Sequence, residues 1–341
     1  MTIQIRALEL TDTDLAAYVT LNNRVYTDDI ATVAAERHWL STVPAKAHWQ
    51  HWVAMQNGKM VGSAANAKDL SNARPGSYKL YVAVDPDARR QGIGTQLYDH
   101  CVSQLNQHHD DVHFLFSSTR EHYKDGVRFL EKRGYRLKLR EPLSQLQMEG
   151  FDPAPFLPKA DRVRTYGFAI KTLAELQAEY ADWARRYYEL DMEVMGDVPS
   201  ADPFVPPPFA QFARSHLQDP EFDPHTFWIA VQDGAWLGLT SLWITSGDPD
   251  KAYTGLTGVL RPARRKGVAT ALKLRALAYA KHKSIKIVQT DNEENNPMFQ
   301  INLDLGFKAI PASLFYRKDC KPGGASQTRT ERPPVPSAVP G

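Results

Sequence analysis

Apolar positions follow two periods along this chain, and the periods alternate in the same order twice. Ile3 to Leu8 alternates as a half-buried strand does. Thr11-Asp12-Thr13-Asp14 then offers caps for a helix over Leu15 to Val25. Trp52 to Met55 and Met60 to Ala64 flank Asn57-Gly58, the signal of a tight hairpin. Tyr78 to Val84 reads as a strand, Thr95 to Leu105 as a helix and Val112 to Ser117 as a strand. Val127 to Lys132 lies in a helix that stops at Gly134, and Tyr135 to Leu139 begins another strand. The later residues repeat the series. A strand is predicted over Arg164 to Ile170, one long amphipathic helix over Leu173 to Glu193, and a hairpin from Phe227 to Trp243 around Asp233-Gly234. Ala252 to Val259 (strand), Ala271 to His282 (helix), Ile285 to Thr290 (strand) and Pro297 to Leu305 (helix, ending at Gly306) follow, with Phe315 and Tyr316 in a late strand. The pattern predicts an α/β protein of two tandem domains, each a twisted mixed sheet flanked by helices.

The 341 residues suit two domains of similar size. The expected division is residues 1–150, a proline-rich linker at 151–163, residues 164–320, and a tail at 321–341 with too few large apolar residues to fold. Pro199 to Pro208 is expected to be a loop. A net charge of +2 lacks the basic excess of a nucleic-acid-coating surface, so no nucleic-acid partner is expected. No segment is long and apolar enough to span a bilayer, and no leader pattern opens the chain. The two cysteines, Cys101 and Cys320, make no disulfide framework and favour a reducing compartment. The expected location is the cytoplasm, with no membrane partner, and a homodimer is left open.

One passage occurs twice. Val84-Asp85-Pro86-Asp87-Ala88-Arg89-Arg90-Gln91-Gly92-Ile93-Gly94-Thr95 returns as Leu260-Arg261-Pro262 and then Ala263-Arg264-Arg265-Lys266-Gly267-Val268-Ala269-Thr270. Each copy ends a strand and opens a helix, and such a corner presents free backbone N–H groups at the positive end of the helix dipole. Gly92, Gly94 and Gly267 allow a sharp turn and a close ligand. Arg89, Arg90, Arg264, Arg265 and Lys266 add positive charge, and Thr95 and Thr270 add hydroxyl donors. The expected guest is a diphosphate. The corner lacks the Gly-Lys-Ser/Thr ending of a Walker loop and the third glycine of a dinucleotide fingerprint.

Both copies resemble the acyl-CoA signature Arg/Gln-x-x-Gly-x-Gly/Ala of the GCN5-related N-acetyltransferase superfamily, and tandem two-domain members of it in particular. Its helix-ending Tyr-x-x-x-Gly-Phe pattern is echoed by Leu130 to Tyr135 and by Asn302 to Phe307. The family's asparagine eleven positions before that glycine is matched by Asn295, while the first half has Tyr123 there. The resemblance implies acetyl-CoA as co-substrate and direct acetyl transfer to an amine of a small molecule or peptide. It implies that Val82, Ala83, Val84 and Ile93 in the first half, and Thr257, Gly258, Val259, Val268 and Ala269 in the second, join Gln91 and the corner residues in holding the coenzyme. Asn292 and Asn295 are further binding candidates. The strand before each corner is expected to splay from its neighbour and offer backbone groups to the pantetheine arm and the thioester oxygen.

The family's usual acid, a tyrosine four residues before the glycine, is replaced by Leu130 and Asn302. On this ground the second half is expected to be the working transferase, with Asn302, Glu193 and Tyr316 as catalytic candidates. Asp191 and Asp197 beside Glu193 are read equally as a solvated acidic helix end. Tyr253 and Tyr316 are read equally as strand packing. A non-catalytic acyl-CoA-binding or sensing protein is the alternative function, and a nucleotide-phosphate scaffold a further one. His48-Trp49-Gln50-His51 and His108-His109 lack a third clustered ligand, so no metal is expected. Trp228, Trp236 and Trp243 are expected in the core or on an inter-domain surface rather than as base-stacking platforms.

Overall fold

A computed structural model describes residues 3–198, 204–291 and 297–320. The tail at 321–341 and residues 199–203 of the Pro199–Pro208 loop lie outside the described residues. The first half runs β1 (Gln4–Ala7), α1 (Asp12–Val25), α2 (Val33–Thr42), β2 (Gln50–Gln56), β3 (Lys59–Lys68), β4 (Ser77–Val84), α3 (Ile93–His108), β5 (Phe114–Arg120), α4 (Lys124–Glu131) and β6 (Arg136–Gln147). The second runs α5 (Leu157–Thr165), β7 (Ala169–Thr172), α6 (Leu173–Glu179), α7 (Trp183–Gly196), α8 (Phe209–Phe212), β8 (Phe227–Gln232), β9 (Ala235–Ile244), β10 (Lys251–Val259), α9 (Val268–His282), β11 (Ile287–Asp291), α10 (Pro297–Asp304) and β12 (Lys308–Asp319).

Local chemistry sets these elements. The Thr11 and Thr32 hydroxyls accept the Asp14 and Ala35 N–H groups and start α1 and α2. Thr172 and Glu175 form a reciprocal capping box at α6. Asn57-Gly58 and Asp233-Gly234 both turn with positive φ at each residue, which matches the twist of the hairpins they join. Two segments differ from the sequence expectation. The helix expected over Leu173 to Glu193 is two helices, because Tyr180 leaves helical geometry at φ −129°. Arg164 and Thr165 belong to helix α5 rather than to a strand, and Gly167 turns the chain (φ +78°) before β7 begins at Ala169.

All the strands form one sheet, in the order β1-β2-β3-β4-β5-β12-β6-β11-β10-β9-β8-β7. The centre of this order is a strand exchange. The last strand of the first half, β6, pairs with β11, and the last strand of the second half, β12, pairs with β5. Packing follows the exchange. Leu314 and Tyr316 of β12 enter the core built on α3, while Leu146 of β6 and the following Met148 enter the core built on α9. Each half therefore needs a strand from the other to close its sheet.

Both splays are present. β4 pairs with β5 only at Ser77–Lys79, and β10 pairs with β11 only at Lys251–Tyr253. Beyond those residues each inner strand parts from its parallel neighbour as it approaches its corner.

Candidate active site

The two corners match in backbone geometry and in one arginine hydrogen bond. Arg90 (φ +66°) and Gly92 (φ +80°) correspond to Arg265 (φ +63°) and Gly267 (φ +85°). Arg89 Nε donates to the Val84 carbonyl (3.2 Å), as Arg264 Nε does to that of Val259 (2.8 Å). In both, the glycine caps the helix in the left-handed region and leaves the first helical N–H groups facing outward. A coenzyme diphosphate fits this cradle, since the turn is tight and the motif arginine is fixed by its Nε.

The surroundings of the corners differ. Gly92 is exposed, and a Cβ added there would meet only the Gln96 side chain at 3.8 Å. A Cβ at Gly267 would lie 2.9 Å from the Lys159 carbonyl, because α5 packs against that turn. Arg264 and Arg261 pair with Asp197, which holds that carboxyl below its usual range. At the first corner the charges are reversed: Arg24 of α1 pairs with Asp85 (3.0 Å) and Asp87 (2.6 Å), leaving Arg89 outside any ion pair among the described residues. Arg133, unmarked by the sequence reading, donates to Thr95 Oγ1 (2.8 Å) and stacks 3.6 Å over the Phe129 ring. Gln91 accepts from Gln56 (3.3 Å) and Lys266 Nζ donates to the Pro262 carbonyl (3.0 Å). Ile93, Val268 and Thr270 are buried. Thr257 shares a 2.7 Å hydroxyl hydrogen bond with Thr240. Asn292 and Asn295 lie outside the described residues.

On the other side of the first splay lies a cavity of about 530 Å³. Strand alternation decides which residues floor it. His51 stands opposite Ala65, Ala65 opposite Tyr81, Ser63 opposite Ala83, and Phe315 opposite Ser118. These residues share one sheet face, and the small ones leave the volume open. Tyr18, Tyr26, Glu36 and Trp39 line the cavity from the α1–α2 side, and Trp49 and Arg120 complete its wall. Arg120 is matched by Asp29 (2.7 Å). Burial pushes the Tyr26 and Tyr81 hydroxyls up to about 12 and the His51 imidazole down to about 4, so all three are neutral at neutral pH. Burial also raises Glu36.

Among the described residues, the equivalent face of the second half is filled. Ile229, Leu239 and Phe227 are buried there, and Trp243 packs on them. His216 stacks with Phe212 (4.7 Å) and stands edge-on to Trp243 (5.2 Å). Val194 of α7 lies where a Cβ of Gly258 would be, so glycine lets that helix close directly on β10.

The three expected catalytic residues are not brought together. Glu193 is exposed on α7. Asn302 is fully buried in α10. Tyr316 needs correction as a second-half group: the strand exchange carries it into the first-half core beside Leu130, with its hydroxyl 3.4 Å from Glu131. Asp191 is buried, with Oδ2 3.3 Å from the Tyr187 hydroxyl, and Asp197 is committed to the arginines. The sequence reading missed the cavity residues. Their one sequence signal was Glu36 and Trp39, three apart on α2 and so on one face.

Two family models match the chain: an acetyltransferase (GNAT) domain over residues 47–137 and the acetyltransferase (GNAT) family over residues 179–303. Mycothiol acetyltransferases of Parafrankia sp. (strain EAN1pec) and Actinosynnema mirum are 24% and 25% identical. The matches cover 80% and 85% of this chain and 84% and 90% of those proteins. Among solved structures, a tandem GNAT protein from the clavulanic acid biosynthesis pathway superposes with a TM-score of 0.72 at 21% identity, covering 95% of this chain and 100% of that one. A GCN5-related N-acetyltransferase from Sphaerobacter thermophilus superposes with a TM-score of 0.65 at 20% identity, covering 94% and 96%. With a duplicated glycine corner, two splayed strand pairs and these likenesses, the chain belongs to the GCN5-related N-acetyltransferase family, as a tandem acetyltransferase of mycothiol-synthase-like architecture that uses acetyl-CoA as co-substrate.

Proposed function

We propose that the first half is the site of turnover, where acetyl-CoA bound at the Gly92 corner acetylates a small-molecule amine held in the cavity between α1, α2 and the sheet. The carrying observation is that an open cavity and an unobstructed corner meet across the β4–β5 splay, whereas among the described residues α5 packs on the second corner and Val194 of α7 on Gly258. This reverses the expectation drawn from Asn295 and Asn302.

The reaction proceeds by direct attack with both substrates bound. The free amine nitrogen forms a bond to the thioester carbonyl carbon, and the carbon–sulfur bond then breaks. Backbone groups of β4 beyond Lys79 stand beside the developing oxyanion. The thiolate takes a proton from a tyrosine hydroxyl, and the surplus proton on nitrogen restores that hydroxyl. Tyr26 and Tyr81 line the cavity and stay protonated at neutral pH. Holding the two reactants together supplies much of the rate. Second-half residues brace the cavity roof: Gln211 donates to the Thr42 carbonyl at the end of α2 (2.7 Å), and Lys251 donates to the Asp28 carbonyl.

The test compares Gly92→Glu with Gly267→Glu in the full chain, scoring thiol release and acetyl-CoA binding. Gly92→Glu sets a carboxylate against the diphosphate and is expected to lower kcat/KM about a hundredfold or more. Gly267→Glu is expected to cost less than about tenfold. Loss of turnover from Gly267→Glu alone, with the Gly92 variant active and both proteins folded by thermal melting, would place the reaction in the second half.

A further inference from the structure

The far end of the first-half cavity has a chemistry of its own. Trp39 and Trp49 meet edge to face at 4.7 Å, Trp49 and His51 at 5.9 Å, and Tyr18 and His51 at 4.6 Å. Glu36 lines the same cavity, and its carboxylate makes no hydrogen bond or ion pair with any described residue. Every other charge on the cavity wall is matched, since Arg120 and Asp29 form a pair. His51, held neutral, adds no opposing charge. The cavity wall therefore carries one carboxylate without an ion-pair partner among the described residues together with a cluster of aromatic rings, a combination that attracts a cation through ring quadrupoles and direct charge together. The cluster does not coincide with the reacting position. His51 lies on β2, two strands away from β4, and adjacent strands stand about 4.8 Å apart, so the cluster is about 10 Å from the splay.

Resting on the reading that acetyl transfer occurs at this cavity, we propose that the acceptor is an amine with a second, positively charged group, and that Glu36, Tyr18, Trp39 and Trp49 hold this group while the reacting amine sits at the splay. The acceptor class is thus a diamine, or an amine with a remote ammonium or guanidinium. Glu36 is a binding residue here and takes no part in proton transfer.

The test uses the full chain with 1,6-diaminohexane, hexylamine and (6-aminohexyl)trimethylammonium. The last has one nucleophile and a permanent charge, which separates recognition of charge from a doubled count of reactive amines. Binding is read from tryptophan fluorescence without acetyl-CoA, and turnover from thiol release with it. Both cationic probes are expected to bind at least about tenfold more tightly than hexylamine and to exceed it in kcat/KM by a similar ratio. Glu36→Gln is expected to bring these ratios near one while acetyl-CoA uptake is retained. Equal behaviour of hexylamine and the cationic probes, absence of saturable binding by the cationic probes, or ratios that survive Glu36→Gln would overturn the proposal. The fluorescence readout does not depend on the Gly92 corner, so misplacement of turnover and misassignment of the cluster give different results.

Discussion

The two halves share a corner, a splay and a hairpin, yet they differ in what stands on the sheet face opposite α3 and α9. In the first hairpin Val53 pairs with Ser63; in the second Ile229 pairs with Leu239, after the same one-residue irregularity in each. His51 gives way to Phe227 at the next equivalent site. Small and polar floor residues leave a cavity, while large apolar ones fill it and draw α7 down until Val194 touches Gly258. The ion pair beside each corner is also inverted, Arg24–Asp85 against Asp197–Arg264. In the second half that inversion ties up Arg264, whereas in the first the paired motif arginine is Arg90, with Asp125 (2.8 Å). Duplication thus kept the backbone device and changed the side chains that decide access to it. The second half gained a packed core over that face, and it lends β12 and a brace to the first.

The strongest way to break this contrast is to transplant it. Ser63→Leu places the second half's residue on the cavity floor. Filling the acceptor volume is expected to lower kcat/KM about tenfold or more while acetyl-CoA binding stays within about twofold. The melting temperature is expected to hold, because the added methyl groups enter existing space. Unchanged turnover in the folded variant would show that the acceptor goes elsewhere.

The corners were legible because their chemistry is contiguous: two glycine bends with adjacent arginines need no tertiary knowledge. The hairpins were legible for the same reason, through Asn57-Gly58 and Asp233-Gly234. The cavity was not, since its floor takes alternate residues from β2, β3, β4, β5 and β12, and no local period records which face stays open. The strand exchange was equally hidden. β6 and β12 are both twelve-residue strands at the end of a half, and nothing in either names its partner. Tyr316 shows the consequence, having been grouped with second-half chemistry by chain position alone.

The helices behind the corners offer a second, smaller contrast. Six residues after the capping glycine, α3 carries Tyr98 and α9 carries Lys273. Tyr98 packs with Phe129 and Tyr135, and Lys273 is equally buried. Loss of hydration pushes the lysine down to about 8, with Asp291 opposing the shift. Between pH 8 and 10.5 the unfolded chain then binds more protons than the folded one, so stability rises with pH across that window. Lys273→Met keeps the volume and removes the charge. It is expected to raise the melting temperature at pH 7 by about 3 °C or more and to flatten the rise above pH 8. A lower melting temperature would mean that the ammonium has a partner worth more than its burial costs.

The smallest effect concerns the packed face itself. Asp191 sits where the first half keeps its cavity roof, and burial lifts its carboxyl to about 7, although the Tyr187 hydroxyl bond pulls it down. Tyr187 also lies 3.2 Å from His216 Nε2, and burial lowers that imidazole to about 4, so both neighbours are uncharged near neutrality. A carboxyl raised on folding keeps its proton while the unfolded chain has lost it. Its contribution to stability is therefore largest below the unfolded value of 3.8, declines as pH rises towards 7, and is constant above. Asp14, Asp85, Asp111 and Glu121, all lowered by their partners, act in the opposite sense over the acid range, so a single melting curve mixes the two. The difference between wild type and Asp191→Asn isolates the one group, because the amide still accepts from Tyr187 and carries no proton to lose. The variant is expected to match wild type near pH 4 and to become the more stable of the two through pH 7, with a slope in the difference of no more than about 1.4 kcal/mol per pH unit. Parallel curves across that range would show that Asp191 is ionised in the folded protein, and that the second face is wetter, and closer to the first in character, than its packing implies.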